Sequence, residues 1–307
     1  MPKVLIATEK PFAKEAVQKI KSEFDAIGYQ QVWLENYSDP EELRKAAADV
    51  EALIVRSDIV DEALFNAAPK LKIVVRAGAG YDNIDLTSAS SHNVIVMNTP
   101  GQNSNAVAEL ALGLMIYMAR GKFNGKSGTE LGGKKLALFG FGNVGKRLAK
   151  MAKGLDMEVY AYDPYISSEL MTQEGVIPLN QVEDIFKIGD YISLHIPATA
   201  ETKKSINWNL LSLVKDHCIL VNTARKEVID EDALIKALEE KSKFRYVSDI
   251  EPDCSAKLRE QFAERVFWTP KKMGAQTEEA NINAGVAAAR QIIAYFEKGD
   301  TTFQVNK

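Results

Sequence analysis

Gly140, Gly142 and Gly145 stand in the order G-x-G-x-x-G, between a short apolar run, Leu136–Phe139, and a stretch with helical periodicity. Val144, Leu148, Met151 and Leu155 recur at that spacing and leave Lys146, Arg147, Lys150 and Lys153 for a polar face. A second apolar run, Met157–Tyr162, follows and ends at Asp163. Strand, glycine turn, helix, strand and acid together are suited to holding a dinucleotide. Gly140 permits the tight turn, Gly142 lets a diphosphate approach the backbone, and Gly145 lets the helix pack closely. The first free N–H groups of the helix and its dipole then face the phosphates. Asp163 lies 18 residues after Gly145, close to the ~20 expected of an acid that binds the adenosine ribose. Its charge accepts from the ribose hydroxyls and repels a 2′-phosphate, so the pattern predicts NAD rather than NADP.

Other polar clusters fall directly after apolar runs, at Arg56-Ser57, Arg76 to Asn83, Asn98 to Asn105, His195-Ile196-Pro197 and Asn222-Thr223-Ala224-Arg225. Open α/β sheets bind ligands beyond the carboxyl ends of their strands. An arginine placed there needs an anionic partner, either a ligand carboxylate or phosphate or a structural Asp or Glu. Three scattered histidines, His92, His195 and His217, and two cysteines, Cys218 and Cys254, form no metal-ligand pattern. No H-E-x-x-H, C-x-x-C or G-x-S-x-G occurs. Two reduced thiols and a cytoplasmic location are expected.

The elements that must carry these residues alternate. Strands are expected at Val4–Ala7, Gln31–Leu34, Ala52–Val55, Leu71–Val75 and Val94–Met97, with helices at Pro11–Ile27, Pro40–Val50 and Val60–Ala68 between them. The first turn reads TEKP, so this half need not bind a dinucleotide. Ala106–Ala119 is a helix that is apolar nearly all round, and the polar Gly121–Lys134 reads as a linker or arm. Beyond Asp163 come strands at Tyr191–Ile196, Ile219–Asn222, Tyr246–Ser248 and Val266–Trp268, helices at Asp230–Lys241 and Thr277–Lys298, and a short β-like run at Thr301–Val305. The alternation predicts an α/β fold of two doubly wound, mostly parallel sheets. Its 307 residues, 46% hydrophobic and 26% charged with net charge −4, fit a globular chain. They imply neither a nucleic-acid nor a membrane partner.

In these motifs the chain resembles the D-isomer-specific 2-hydroxyacid dehydrogenases, and within them the short phosphoglycerate branch. The carriers are VRSD (55–58), RAGAGYDNID (76–85), NTPGQNSNAVAELAL (98–112), GFGNVG (140–145), YDP (162–164), SLHIP (193–197), VNTAR (221–225), DIEP (249–252) and TPKKMGAQTEEA (269–280). The resemblance implies two Rossmann-like domains with a cleft between them. Residues 1–98 with 285–307 would form a discontinuous, flavodoxin-like substrate domain, and residues 99–284 an NAD-binding domain through which two copies pair as a homodimer. It makes Arg225 the anchor for the substrate carboxylate, aided by the backbone N–H groups of Gly78 and Ala79. Arg56, Arg76 and Asn103 match substrate or phosphate contacts. Asn143 and Val144 would offer backbone N–H groups to the diphosphate. His195, Pro197, Thr223, Ala224 and Gly274 would line the cofactor site, and Asp249 would bond the nicotinamide carboxamide. For His195 the plainer alternative is a strand-end residue that touches adenosine or nothing.

One departure concerns proton transfer. The family's T-P-H supplies a histidine near residue 270, whereas this chain reads Thr269-Pro270-Lys271-Lys272 and has no histidine after His217. Counting from Thr-Pro puts Lys271 in that place, and counting back from Gly274-Ala275 puts Lys272 there. Lys271 is preferred, because the Thr-Pro turn positions the residue directly after it. Glu251 matches the histidine's glutamate partner, in an acidic segment shorter than usual. The implied reaction is NAD-dependent oxidation of D-3-phosphoglycerate, a phosphorylated 2-hydroxy acid, to 3-phosphohydroxypyruvate, the first step of phosphorylated serine biosynthesis. A glyoxylate/hydroxypyruvate reductase, another D-2-hydroxyacid dehydrogenase, and a non-catalytic NAD-sensing protein of corepressor type are the alternatives.

Overall fold

A computed structural model describes every residue from Met1 to Lys307. In chain order the elements begin with β1 (Lys3–Thr8), α1 (Lys14–Asp25), β2 (Gln30–Glu35), α2 (Pro40–Ala47), β3 (Ala52–Val55), α3 (Glu62–Ala67), β4 (Ile73–Arg76), α4 (Leu86–Ser91) and β5 (Ile95–Asn98). Then follow α5 (Ser104–Ala119), β6 (Lys135–Phe139), α6 (Asn143–Lys153), β7 (Glu158–Tyr162), α7 (Ser168–Gln173), β8 (Ile177–Pro178), α8 (Val182–Ile188), β9 (Tyr191–Leu194) and α9 (Trp208–Leu211). The chain closes with β10 (Ile219–Asn222), α10 (Glu231–Glu240), β11 (Arg245–Ser248), α11 (Ser255–Phe262), β12 (Val266–Trp268) and α12 (Glu278–Lys298). It divides into two compact units, Met1–Asn103 with Thr277–Lys307, and Ser104–Gln276. The breaks therefore fall a few residues from the boundaries at 98 and 285 that the resemblance implies.

The first unit is a five-stranded parallel sheet ordered β2-β1-β3-β4-β5, the flavodoxin-like order. Alternation along each strand sends side chains to two cores. Val4, Ile6, Ile54 and Val75 meet Ile20 and Phe24 of α1 and Ala288 and Ile292 of α12. Leu5, Leu53, Val55 and Val74 meet Leu43 of α2, Leu64 and Phe65 of α3 and Ala89 of α4. The second unit is a seven-stranded parallel sheet ordered β12-β11-β10-β9-β6-β7-β8. Counted from β6, this is the dinucleotide-binding order with one further strand. On one face Leu136, Leu138 and Val221 pack on α5 and α6, and on the other Ile192, Leu194 and Leu220 pack on α8 to α11.

The elements differ from the expected ones mainly at ends and in short pieces. Helix α1 starts at Lys14, not Pro11, and the Val60–Ala68 helix is trimmed to α3. The four-residue to seven-residue helices α4, α7, α8 and α9 and the two-residue β8 carry too few turns to show a period. Thr301–Val305 makes only one antiparallel bridge, Met97 to Gln304, with Val305 N–H donating to the Val96 carbonyl. No helix is long and apolar enough to cross a membrane.

At the opposite end of the second sheet from the glycine turn, Asp190 ties three strand starts together. It accepts from Lys215 Nζ at 2.7 Å, the Lys135 backbone N–H at 2.8 Å and His217 Nε2 at 3.0 Å. Burial pushes its carboxyl up, but the bonds from Lys215, Lys135 and His217 outweigh this and draw it down to about 2. A depressed carboxylate stabilises the fold above its ordinary pKa of 3.8, and that contribution is lost as pH falls toward 2. Asp190→Asn is therefore expected to lower stability near pH 7 by roughly 1–2 kcal/mol after solvent screening. In urea titrations at pH 7 and pH 2.5, the gap between wild type and variant should narrow at the acid end. An equal gap at both would refute the ionic role.

Candidate active site

In the second sheet the strand order reverses at β6, which lies between β9 and β7, and the glycine turn stands at that switch point. Gly140 has φ +97°, and a Cβ there would come 2.8 Å from the His195 carbonyl oxygen. Gly142 is the first cap residue of α6, with no side chain capping the helix, and a Cβ on it would meet nothing within 4 Å. Open space thus faces the uncapped amides of Asn143, Val144 and Gly145, the arrangement an anion requires. A Cβ on Gly145 would land on the Gly140 carbonyl oxygen. The third glycine therefore lets the first turn of α6 lie against the backbone at the end of β6. Asp163 takes the Phe141 backbone N–H at 2.7 Å on one oxygen and the Tyr165 N–H at 2.9 Å on the other. Each oxygen keeps a further lone pair for a hydroxyl donor.

The neighbouring strand ends add polar atoms without partners. Thr223 follows β10 and is buried, and its Oγ1 has no hydrogen-bond partner. His195 follows β9. Its backbone N–H donates to the Phe139 carbonyl at 2.8 Å, and its enclosed Nε2 has no partner. Burial pushes this imidazole down to about 4, so it is neutral at pH 7. Pro197 presents its carbonyl to Thr202 Oγ1. Buried polar atoms left unsatisfied are costly, and a ligand at this switch point would satisfy them. Uncapped amides, open space at Gly142, a carboxylate at the end of β7 and orphaned polar atoms fit an NAD molecule.

The strands β10, β11 and β12 end in register, Asn222 beside Ser248 and Ser248 beside Trp268. The residues just beyond them therefore lie in a row. Asn222 shapes the first turn, donating from Nδ2 to the Arg225 carbonyl at 2.9 Å and accepting from the Ala224 N–H at 3.1 Å. The Ala224 carbonyl receives both Arg225 Nη1 at 3.1 Å and Lys272 Nζ at 2.8 Å. A guanidinium and an ammonium thus converge on one oxygen. Of the two lysines, Lys272 is the one the structure brings to Arg225. Both lysines are exposed, but of Lys271 only the backbone is engaged, its carbonyl accepting from Thr269 Oγ1 at 2.8 Å. Glu251 does not meet either lysine. Its carboxylate pairs with Arg259 Nη2 at 2.9 Å, and that guanidinium stacks 4.9 Å from the Trp268 ring centre. Asp249 is buried and turned toward residues 269–274, where the backbone N–H of Gly274 is among its donors.

In the first unit, Arg56 is held by its own neighbourhood. Its guanidinium donates to the Lys10 and Pro11 carbonyls and to Asn281 Oδ1, and lies 5.1 Å from the Phe12 ring centre. Burial draws its pKa down, with Asp58 opposing. Arg76 Nε donates to the Arg56 carbonyl at 2.9 Å, and its guanidinium lies over Gly78, at φ +154°, where a Cβ would collide with it. The Gly78 N–H is taken by the Arg76 carbonyl at 2.8 Å. The Ala79 N–H has no protein acceptor, and its carbonyl accepts from Asn98 Nδ2 at 2.6 Å. Asn103 ends the unit, partly exposed. Asp58, 1% exposed, organises this end: it accepts from Glu9 N–H at 2.8 Å, Arg56 N–H at 2.9 Å and Tyr37 hydroxyl at 2.6 Å. No sequence rule singled Asp58 out, although an acid two residues after a strand-end arginine was the available signal.

The second unit matches the family model described as D-isomer specific 2-hydroxyacid dehydrogenase, NAD binding domain, over residues 111–270. The chain belongs to the D-isomer-specific 2-hydroxyacid dehydrogenases and carries that family's NAD-binding domain. Among its relatives is a D-3-phosphoglycerate dehydrogenase of Methanocaldococcus jannaschii, 38% identical over 82% of this chain and 51% of the relative. The chain therefore spans about half the length of that protein. A hydroxypyruvate reductase of Thermotoga maritima is 35% identical over 95% of this chain and 98% of the relative. A solved structure of NAD+-bound 3-phosphoglycerate dehydrogenase from Entamoeba histolytica is 43% identical, with a TM-score of 0.89 over 100% of this chain and 99% of that one.

Proposed function

We propose that the chain is a D-3-phosphoglycerate dehydrogenase, oxidising its substrate at C2 to 3-phosphohydroxypyruvate with NAD and with Lys272 as the acid/base. The observation that carries this is the convergence of Arg225 Nη1 and Lys272 Nζ on the Ala224 carbonyl. The guanidinium fork binds the substrate carboxylate and stabilises charge growing on the C2 oxygen. A lysine ammonium loses its proton near pH 10.4 in water, and an adjacent guanidinium favours the neutral amine that can accept one. In oxidation Lys272 takes the hydroxyl proton. In reduction it returns that proton to the carbonyl oxygen. Bound NAD supplies the hydride acceptor. Glu251, engaged by Arg259, is left out of the relay. In the first unit the Arg76 guanidinium, over Gly78, and the Ala79 N–H are offered to an anionic group. A homodimer and a cytosolic location belong to this reading.

Hydroxypyruvate reduction is the second reading. It is favoured by the full-length match to the Thermotoga maritima relative and by the engagement of Arg56 with protein groups. NADH oxidation is to be followed with 3-phosphohydroxypyruvate, hydroxypyruvate, glyoxylate and pyruvate. The proposal expects kcat/KM for the phosphorylated acid to exceed the others by at least about tenfold, the worth of one well-made ionic contact of ~1.4 kcal/mol. A preference for hydroxypyruvate supports the second reading. No turnover, with NADH still bound, supports an NAD-sensing protein.

A further inference from the structure

The resemblance turns Asp249 toward the nicotinamide, but the structure turns it toward the loop that carries the lysines. Its Oδ1 accepts from the Met273 N–H at 2.7 Å and Thr269 Oγ1 at 3.1 Å, and its Oδ2 accepts from the Gly274 N–H at 2.8 Å. The carboxylate is 1% exposed and Thr269 5%. Its own N–H donates to the Asn222 carbonyl at 3.0 Å, so it is fixed to the end of β10, the strand that leads to Ala224 and Arg225. The single Thr269 hydroxyl proton is shared with the Lys271 carbonyl, at 2.8 Å. Residues 269, 271, 273 and 274 are thereby tied around one carboxylate, on either side of Lys272. Gly274 leaves room for nothing larger, because a Cβ there would stand 2.8 Å from Asp249 Oδ2 and 3.2 Å from Val107.

We infer that Asp249 is a positioning residue: its buried carboxylate, with Thr269, staples the 269–274 loop and sets Lys272 against the Ala224 carbonyl beside Arg225. The inference rests on the proposed dehydrogenase reading for its effect on turnover, but not for the staple itself. Two donors on one oxygen and a third on the other define the loop path in a way an amide cannot. In Asp249→Asn, one of the bonded positions would set an N–H against an N–H. Displacement of a reacting group by ~1 Å is enough to lower turnover about 10²-fold.

The test combines amide hydrogen exchange with kinetics on the full chain. In Asp249→Asn, exchange of the Met273 and Gly274 amides should speed at least about tenfold. With the preferred 2-oxo acid and NADH, kcat should fall about 10²-fold, while the Kd for NADH, read by fluorescence, stays within about threefold. If Asp249→Asn does not fold, Thr269→Val and Thr269→Ser decide. The valine variant should show faster loop exchange and lower kcat, and the serine variant, which keeps the hydroxyl, should restore both. Unchanged exchange in the soluble variants would overturn the inference. So would weaker NADH binding with kcat intact, which would make Asp249 a cofactor contact, or faster exchange with no loss of kcat. If the wild-type protein has no dehydrogenase activity, the functional reading fails while the exchange data still decide the staple.

Discussion

Lys272→Ala should lose about 10²–10⁴ of kcat, the range contributed by a positioned proton carrier, whereas Lys271→Ala should keep turnover within about threefold, as exposed substitutions usually do. The contrast follows from two neighbouring side chains with different surroundings. Both side chains are exposed, but Lys272 Nζ shares the Ala224 carbonyl with Arg225, while of Lys271 only the carbonyl is used, by Thr269. The Kd for NADH should stay near wild type in both variants, because neither lysine belongs to the glycine turn. Steady-state kinetics with saturating NADH separate the two. Equal losses in both would deny Lys272 a role of its own, and a loss confined to Lys271→Ala would move the role to Lys271.

Arg225→Met should cost more. The variant keeps length and apolar bulk but removes every side-chain donor that position 225 offers the substrate carboxylate. A drop in kcat/KM of about 10³-fold or more, ~4 kcal/mol, is expected for losing a charged donor fork at the reacting centre. Arg225→Lys should recover little of this, since a point ammonium does not reproduce bidentate geometry. The turn itself should survive, because Asn222 holds it through backbone groups of residues 224 and 225. A melting temperature near wild type would show that the loss lies in binding and chemistry rather than in folding. An Arg225→Met protein with near-normal kcat/KM would remove the anchor from the account.

Much of the architecture could be read from the chain because buried parallel strands are short, mostly apolar runs. Ala52–Val55 and Ile219–Asn222 were bounded at the observed residues for that reason. The glycine turn was equally legible, since a Cβ at Gly140 or Gly145 would collide with backbone and Gly142 leaves open space before the helix. Short helices such as α7 and α8 escaped notice, for one or two turns show no period. The site was legible in residue type more than in direction. Arg56 and Asp249 were singled out as ligand contacts, yet a guanidinium can satisfy itself on nearby carbonyls and a carboxylate on nearby amides. The choice between Lys271 and Lys272 depends on how the chain leaves β12, and residue spacing alone admits either count. Thr269 acts through a tertiary hydrogen bond to Asp249 that no local pattern encodes.

The account depends above all on a primary amine at position 272 carrying the substrate proton. Its most direct test is chemical rescue of Lys272→Ala, with the variant assayed at saturating NADH and 2-oxo acid across a series of small primary amines. Turnover should rise with amine concentration and follow amine basicity, while wild type and Lys271→Ala are indifferent to the same amines. A Lys272→Ala protein that turns over at the wild-type rate without added amine would contradict the account, as would one that no amine restores.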